Sequence, residues 1–319
     1  MAAYDGSPYR KALSSVTDDS GNIFGALPSN IKALATIANR TVDAGQPDYL
    51  PAFFCHVGLP RSSFDGLSFE RQSGTVSLQI EAGKTFDGRG WQQQPIPYGT
   101  IPRLALIHIT SEAVRTQSPI VDVGNSVYAF LEALGVGNNQ AARQRARKQM
   151  TALGACHMRL GRVLEREGKR FAQTVDAKPF HQFEAWISDT EGQQALWPTS
   201  LTLSEPFFDA IIKSAVPLRH DALAQLSGSA LALDIYSWLA HRLCRVKRGG
   251  AFIAWAALAE QFGQEYGTRK NFKINFVKQL RNVLKAYPEA RVEIVTGGIQ
   301  LAASPTPIPK STVRPLKPK

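Results

Sequence analysis

Between residues 268 and 286 a single apolar stripe constrains what the surrounding chain can become. Phe272, Phe276, Leu280, Val283 and Leu284 recur at helical spacing, while Lys270, Asn271, Asn275, Lys278, Arg281, Asn282 and Lys285 fall opposite them. So one-sided a helix must lay its stripe on a core and keep the rest of its circumference in solvent. Tyr287-Pro288 ends it, and two extended runs, 291–295 and 299–302, then flank Gly297-Gly298, a tight hairpin signal. Ahead of it the pattern predicts helices at 206–214, 221–226 and 230–246, a strand at 252–255 and a short helix at 256–262. Helices that close on a β-hairpin follow the order of a winged helix.

The same order stands about a hundred residues earlier. From Pro102 a helical pattern carries Leu104, Ile107, Ala113 and Val114, and a brief strand follows at 120–123. Asn125 or Ser126 caps a second helix with Val127, Phe130, Leu131 and Leu134, which stops at Gly135 and Gly137. A third helix spans 139–153. Two extended stretches, 158–164 and 171–187, then flank the charged turn 165–170, which reads as a wing tip. Upstream, Val76, Leu78 and Ile80 alternate with Thr75, Ser77 and Gln79, the period of a half-buried strand. The Gly-, Gln- and Pro-rich stretch 83–97 reads as a loop. The expected fold class is therefore α+β, mostly helical, with two tandem winged-helix domains and an N-terminal β-containing extension. Its parts are a partly disordered arm (1–48), the extension (49–96), a first domain (97–200), a second domain (201–304) and a flexible basic Pro-rich tail (305–319).

Charge narrows the class of partner. Against the net +11, residues 1–100 contribute −1, with 8 basic and 9 acidic side chains. Residues 139–170 hold 9 basic against 2 acidic, and residues 241–285 hold 10 against 2. Positive charge concentrated in this way is the footprint of a polyanion, because each phosphate neutralised releases counterions. Neither basic helix has the broad Trp/Phe/Leu face that an anionic membrane surface would need. No run approaches a membrane span, and the N-terminus lacks the pattern of a secretory signal. The three cysteines, Cys55, Cys156 and Cys244, are too few for a disulfide framework and read as buried, reduced thiols of a cytoplasmic protein.

Both basic helices have the make-up of a major-groove reader. On the third helix Ala142, Ala146, Met150 and Leu153 form a narrow apolar strip, leaving Arg143, Gln144, Arg145, Arg147 and Lys148 around the rest. Arginine can bind guanine through two hydrogen bonds or pair with phosphate. On the helix at 268–286 the asparagines add a different capacity. Lysine reads only phosphate, whereas Asn271 or Asn275 can bind adenine through two hydrogen bonds. Arg269 and Lys270 sit at its N-terminal end, where a recognition helix meets base edges, and Lys278, Arg281 and Lys285 continue the face.

Enzymatic motifs fail on spacing. Gly83-Lys84-Thr85 resembles the end of a phosphate-binding loop, but Leu78 stands where that loop needs a glycine. Cys55-His56 and Cys156-His157 are adjacent pairs rather than spaced zinc ligands, so no metal site is expected. The six histidines never fall two apart, as a strand-nicking centre requires, and no acidic cluster suggests a two-metal nuclease or primase. Tyr236, Trp238 and Trp255 lie in apolar contexts and read as core. No catalytic residues and no cofactor are expected.

Residues 97–119, PYGTIPRLALIHITSEAVRTQSP, and 123–136, VGNSVYAFLEALGV, resemble the family of plasmid-encoded RepA replication proteins. The likeness continues in LPRS (59–62), in LWPTSLTLSEPFFD (196–209), in 215–243 and in the closing 287–305, so it covers most of residues 50–305. It implies a cytoplasmic bacterial initiator that binds direct repeats (iterons) at an origin as double-stranded DNA. It also implies contact with host replication proteins such as the helicase or its loader, and a homodimer that represses its own promoter. Many relatives place Gly-Gly-Arg before the first recognition helix, where this chain has Gly137-Asn138-Asn139-Gln140. A winged-helix transcriptional regulator without an initiation role is the alternative reading of the same residues.

Overall fold

The structure is a computed structural model that describes residues 46–123, 126–183 and 200–309. The expected arm up to residue 45, the end of the stretch 171–187 and residues 310–319 of the tail lie outside the described residues. Within them the fold is mixed α/β, with eight α-helices and five small sheets. Strand takes a larger part than the expected mostly helical chain allowed for.

Strand β1 (Asp48–Pro51) runs into a 3-10 turn, Ala52–Cys55, that buries Phe53, Phe54 and Cys55. β2 (Ser68–Ser73) and β3 (Val76–Glu81) form a hairpin in which Leu78 and Ile80 are fully buried, as the alternation predicts. The stretch expected as a loop instead holds a second hairpin, β4 (Lys84–Phe86) with β5 (Trp91–Gln93). Its turn is made locally: the Asp87 carboxylate accepts the backbone N–H groups of Arg89 and Gly90, both at 2.8 Å, and Gly88 takes φ 91°. Gly83 before it has no room for a side chain, since a Cβ there would stand 1.9 Å from the carbonyl oxygen of Ala155.

Helix α1 (Thr100–Thr116) buries most of its side chains, Arg103, Thr110 and Ser111 included. β6 (Ile120–Asp122) leads to α2 (Val127–Ala133), capped by Ser126, whose hydroxyl accepts from the N–H of Ala129 at 3.2 Å. α3 (Gln140–Ala155) follows, then the long hairpin of β7 (His157–Arg166) and β8 (Lys169–Asp176). This hairpin turns at Glu167 and Gly168, both at positive φ, within the charged segment expected as a tip. It does not pair with β6. It extends the first hairpin into the sheet β2-β3-β7-β8, while β6 joins β10 (Ser200–Leu203) and β9 (Phe180–Phe183).

The second unit begins with α4 (Glu205–Ser214), β11 (Ala215–Leu218), α5 (His220–Leu226) and α6 (Ala230–Arg242). A 3-10 turn, Leu243–Arg245, closes α6. β12 (Ala251–Ala254), α7 (Trp255–Phe262), α8 (Arg269–Ala286), β13 (Val292–Val295) and β14 (Gly298–Leu301) complete it. Here the strand ahead of the last two helices does pair with the final hairpin, in the order β12-β14-β13. Gly298 permits the close approach: a Cβ there would stand 2.0 Å from the Ile253 carbonyl oxygen.

Two features bind the units together. β1, from the N-terminal extension, pairs antiparallel with β11 of the second unit. The buried apolar side chains of both units also join in one continuous core running from Leu50 to Leu301. The segment after β14, expected to open a flexible tail, is packed here. Ile308 is buried, the Tyr287 hydroxyl donates to the Pro305 carbonyl, and the Arg291 N–H donates to the Ser304 hydroxyl at 3.0 Å.

Candidate nucleic-acid interface

Helix α3 starts where Asn139 caps it, its side-chain oxygen accepting the N–H of Ala142 at 2.9 Å. Ala142, Ala146, Met150 and Leu153 are buried, as the wheel of the sequence requires, and Gln149 is buried with them. The Gln149 side-chain oxygen Oε1 accepts the N–H of Tyr98 at 2.7 Å, which ties the helix to the chain entering α1. Arg143, Gln144, Arg145 and Lys148 point to solvent, and Arg147 is half-buried. Small alanines on the packed side let the helix lie close to its support while the long cationic side chains stay outside.

Helix α8 is capped by Thr268, whose hydroxyl accepts the N–H of Asn271 at 3.2 Å. Its stripe of Phe272, Phe276, Leu280 and Val283 is buried, and Leu284 is half-buried. An aromatic ladder anchors it: Phe276 meets Phe272, Phe262 and Trp255 at ring separations of 5.4, 5.5 and 6.0 Å, in tilted or edge-on orientations. Tyr236 and Trp238 are core, as expected, whereas Trp255 is half-buried. Arg269, Lys270, Asn271, Asn275, Lys278, Arg281 and Lys285 are all exposed. The Asn275 amide donates to the Asn271 carbonyl at 2.9 Å, so a base contact by that nitrogen would replace an existing bond. Lys273, which the sequence pattern did not single out, sets its ammonium 5.0 Å from the centroid of the Trp255 ring.

What fixes the start of α8 is a buried ion cluster that the sequence pattern did not reveal. Asp234 on α6 accepts from Arg103 Nε at 2.7 Å and from Arg61 Nε at 3.1 Å. Glu265, three residues before the α8 cap, accepts the Arg61 backbone N–H at 2.8 Å and pairs with the Arg71 guanidinium. Arg61 Nη1 also donates to the Phe262 carbonyl at 2.8 Å, and Arg103 Nη1 to the carbonyls of Pro60 and Gly99 at 2.9 and 2.7 Å. Burial pushes the Asp234 carboxyl up, but the guanidiniums of Arg103, Arg61 and Arg71 outweigh it and hold the group below the usual carboxylate range. Glu265 is held low in the same way by Arg61 and Arg71. A second, smaller cluster joins β1 to both units: Asp48 accepts from Arg115 at 3.0 Å and lies 2.9 Å from His220 Nδ1. The signal for both clusters stood in the sequence motifs: Arg61 in LPRS, Arg103 in PYGTIPR, Arg115 in the run that follows it, and His220 and Asp234 in residues 215–243. Charge counting could not reveal it, because a count does not separate buried or half-buried cations from solvated ones.

The thiols divide. Cys55 and Cys156 are buried and burial pushes both up, but Cys244 is exposed, because it lies on the outer side of the turn that ends α6. Among the described residues no group of three or more His, Cys, Asp or Glu side chains could hold a metal ion. No described helix is long and apolar enough to cross a membrane.

Two solved structures resemble the fold. One is of selenomethionine derivatives of domain 2 and domain 3 of RctB, 12% identical, covering 79% of this chain and 98% of that one, with a TM-score of 0.51. Another, of RctB domains 2-3, is also 12% identical and covers 78% of this chain and 94% of that one, with a TM-score of 0.46. No curated protein sequence matches the chain. The family described as plasmid-encoded RepA protein matches residues 96–257, which hold α1, α3, the Arg103–Asp234 pair and the last turn of α6. The chain belongs to that family.

Proposed function

We propose that this chain initiates plasmid replication by gripping direct repeats (iterons) of origin DNA with two winged helices. α3 and α8 would enter successive major grooves, with the hairpins β7–β8 and β13–β14 as wings. The observation that carries the reading is the exposure of both cationic faces, one of them mixed with asparagines, each on a helix anchored by its opposite side. Family membership supports the initiator role. The strand order β12-β14-β13 supports the winged form for the second unit. In the first unit the hairpin leans on β3 instead, and that unit is read as a winged helix from the order of its helices and hairpin. Host helicase or its loader is the expected protein partner, and autorepression by a homodimer the expected second activity. The chain acts through binding alone, with no catalytic centre and no cofactor.

Footprinting on DNA flanking the chain's own gene tests this. Protection of several direct repeats is expected. A single protected palindrome would instead mark a transcriptional regulator, and nucleotide incorporation or strand cleavage by the purified protein would mark an enzyme. A monodisperse monomer at high concentration, with and without DNA, would remove the homodimer.

A further inference from the structure

The chain leaving α6 carries a cationic run that neither α3 nor α8 includes: Arg242, Arg245, Lys247 and Arg248. All four are exposed, and none forms an ion pair with a carboxylate among the described residues. At the same place two imidazoles meet edge to face. His56, after the 3-10 turn that follows β1, and His241, in the last turn of α6, have ring centroids 4.7 Å apart and planes at 76°. Both side chains are half-buried. Gln261 of α7 donates to the His56 carbonyl at 3.1 Å, and Arg245 Nη1 donates to the His241 carbonyl, which holds the guanidinium beside the rings. The first unit supplies one more cation. Met158 and Leu160 bury one face of β7, and Arg162 takes the next position on that face, exposed where the core gives way to solvent.

Every charged neighbour that acts on these rings is a cation. The charges that act on His56 are those of Arg242, Arg245 and Arg162, and those that act on His241 are Arg245 and Arg242 together with the neighbouring His56 ring, with no carboxylate among them. Burial and these guanidiniums hold both imidazoles below their ordinary value, His241 at about 4. Three guanidiniums act on two neutral rings, and Lys247 and Arg248 continue the exposed run beyond them, so the seam presents positive charge with no carboxylate acting on the rings. We propose that this seam between the two units holds a phosphate group of the DNA backbone. Guanidinium forks match phosphate oxygens, and the imidazole N–H groups add donors. The cations are strung along an exposed turn and a strand from two units, an arrangement that suits a linear chain of phosphates better than one small ion. The assignment rests on the DNA-binding reading above and adds a contact outside both recognition helices.

Proton linkage follows. A phosphate beside the rings raises their pKa relative to the free protein. A group raised on binding adds to affinity below its free value and stops adding as pH climbs through its bound value. If the phosphate restores His241 to about 6.5, affinity rises about tenfold between about pH 7.5 and about pH 5.5. The direct test follows the histidine side-chain resonances of the full chain by NMR through a pH titration, alone, with a random-sequence duplex, and with inorganic pyrophosphate. The expected result is that the duplex moves the midpoints of His56 and His241 upward and pyrophosphate does not. A parallel binding series uses His56→Gln with His241→Gln, which should flatten the pH dependence. It also uses Arg242→Ala with Arg245→Ala, both at exposed positions, which should lower the salt slope by about 0.9 for each phosphate no longer neutralised. Midpoints unmoved by duplex, or an unaltered pH dependence in the histidine variant, would overturn the site. Pyrophosphate shifting the rings as far as duplex does would reassign it to a free anion. A chain that binds no duplex at all removes the DNA-binding reading itself, whereas duplex binding with unmoved histidines removes only this seam.

Discussion

Asp234 is the residue on which the molecule's internal electrostatics turns. It compensates Arg103 and Arg61 at positions where their side chains are 7% and 9% exposed, so neither guanidinium can recover water if the carboxylate goes. Removing one partner of a buried pair leaves an unpaired charge, at a cost of about 3–5 kcal/mol. Asp234→Asn keeps the shape and removes the charge, and urea unfolding should register a loss of that size. On the outer face of α8 single residues act differently. Lys278→Ala should weaken DNA binding across all sequences and reduce the salt slope by about 0.9 if it meets one phosphate. Asn275→Ala should instead relax the preference at one base position by about 1–3 kcal/mol, read from binding to a panel of single-base variants. Unchanged behaviour of both variants would mean that this face of α8 does not meet DNA.

At the scale of elements, α8 depends on its first turn. Thr268 supplies the cap, and Glu265 just ahead of it is fastened to Arg61 and Arg71, so the N-terminal turn is held from two sides. Thr268→Ala should cost about 1 kcal/mol of stability, whereas Thr268→Ser should retain most of it. If Arg269 and Lys270 face DNA from that turn, the alanine variant also loses affinity, which a titration at fixed salt would measure. Elements set by local pattern were legible: α3, α4, α7, α8 and the closing hairpin fall within a few residues of their expected spans. The hairpin β4–β5 was not, because Gly, Gln and Pro composition says loop while its turn is set by the Asp87 carboxylate and its base by the close approach of Ala155. β1 and β11 were not legible either, since each is short and becomes a strand only by pairing with the other.

For the whole molecule the internal carboxylates set the response to acid. Asp48, Asp234 and Glu265 are all held below their ordinary values in the folded chain. A carboxylate with a depressed folded pKa contributes stability that is complete above its unfolded value and is lost as pH falls through the folded one. Stability should therefore decline below about pH 4, where the unfolded chain begins to take up protons that the native state resists. His220 works in the opposite sense: its hydrogen bond to Asp48 raises it, so its contribution is full below about 6.5 and fades as pH rises through the raised value. Chemical denaturation across this range checks both, and Asp234→Asn should flatten the acid limb. A flat acid limb in the unaltered chain would mean that the clusters contribute nothing net.

Sequence alone settled what depends on neighbours a few residues apart. The i, i+4 stripe of α8, the alanine strip of α3 and the outward cations of both helices all follow from helical geometry, which repeats every turn whatever the rest of the chain does. Tertiary structure alone decided which internal faces meet. Arg61 finds Asp234 across 173 residues and Glu265 across 204, and β1 crosses from the extension to the second unit. No local period encodes such encounters. They are fixed by the packing of one shared core, where a charge remains buried only if its partner arrives with it.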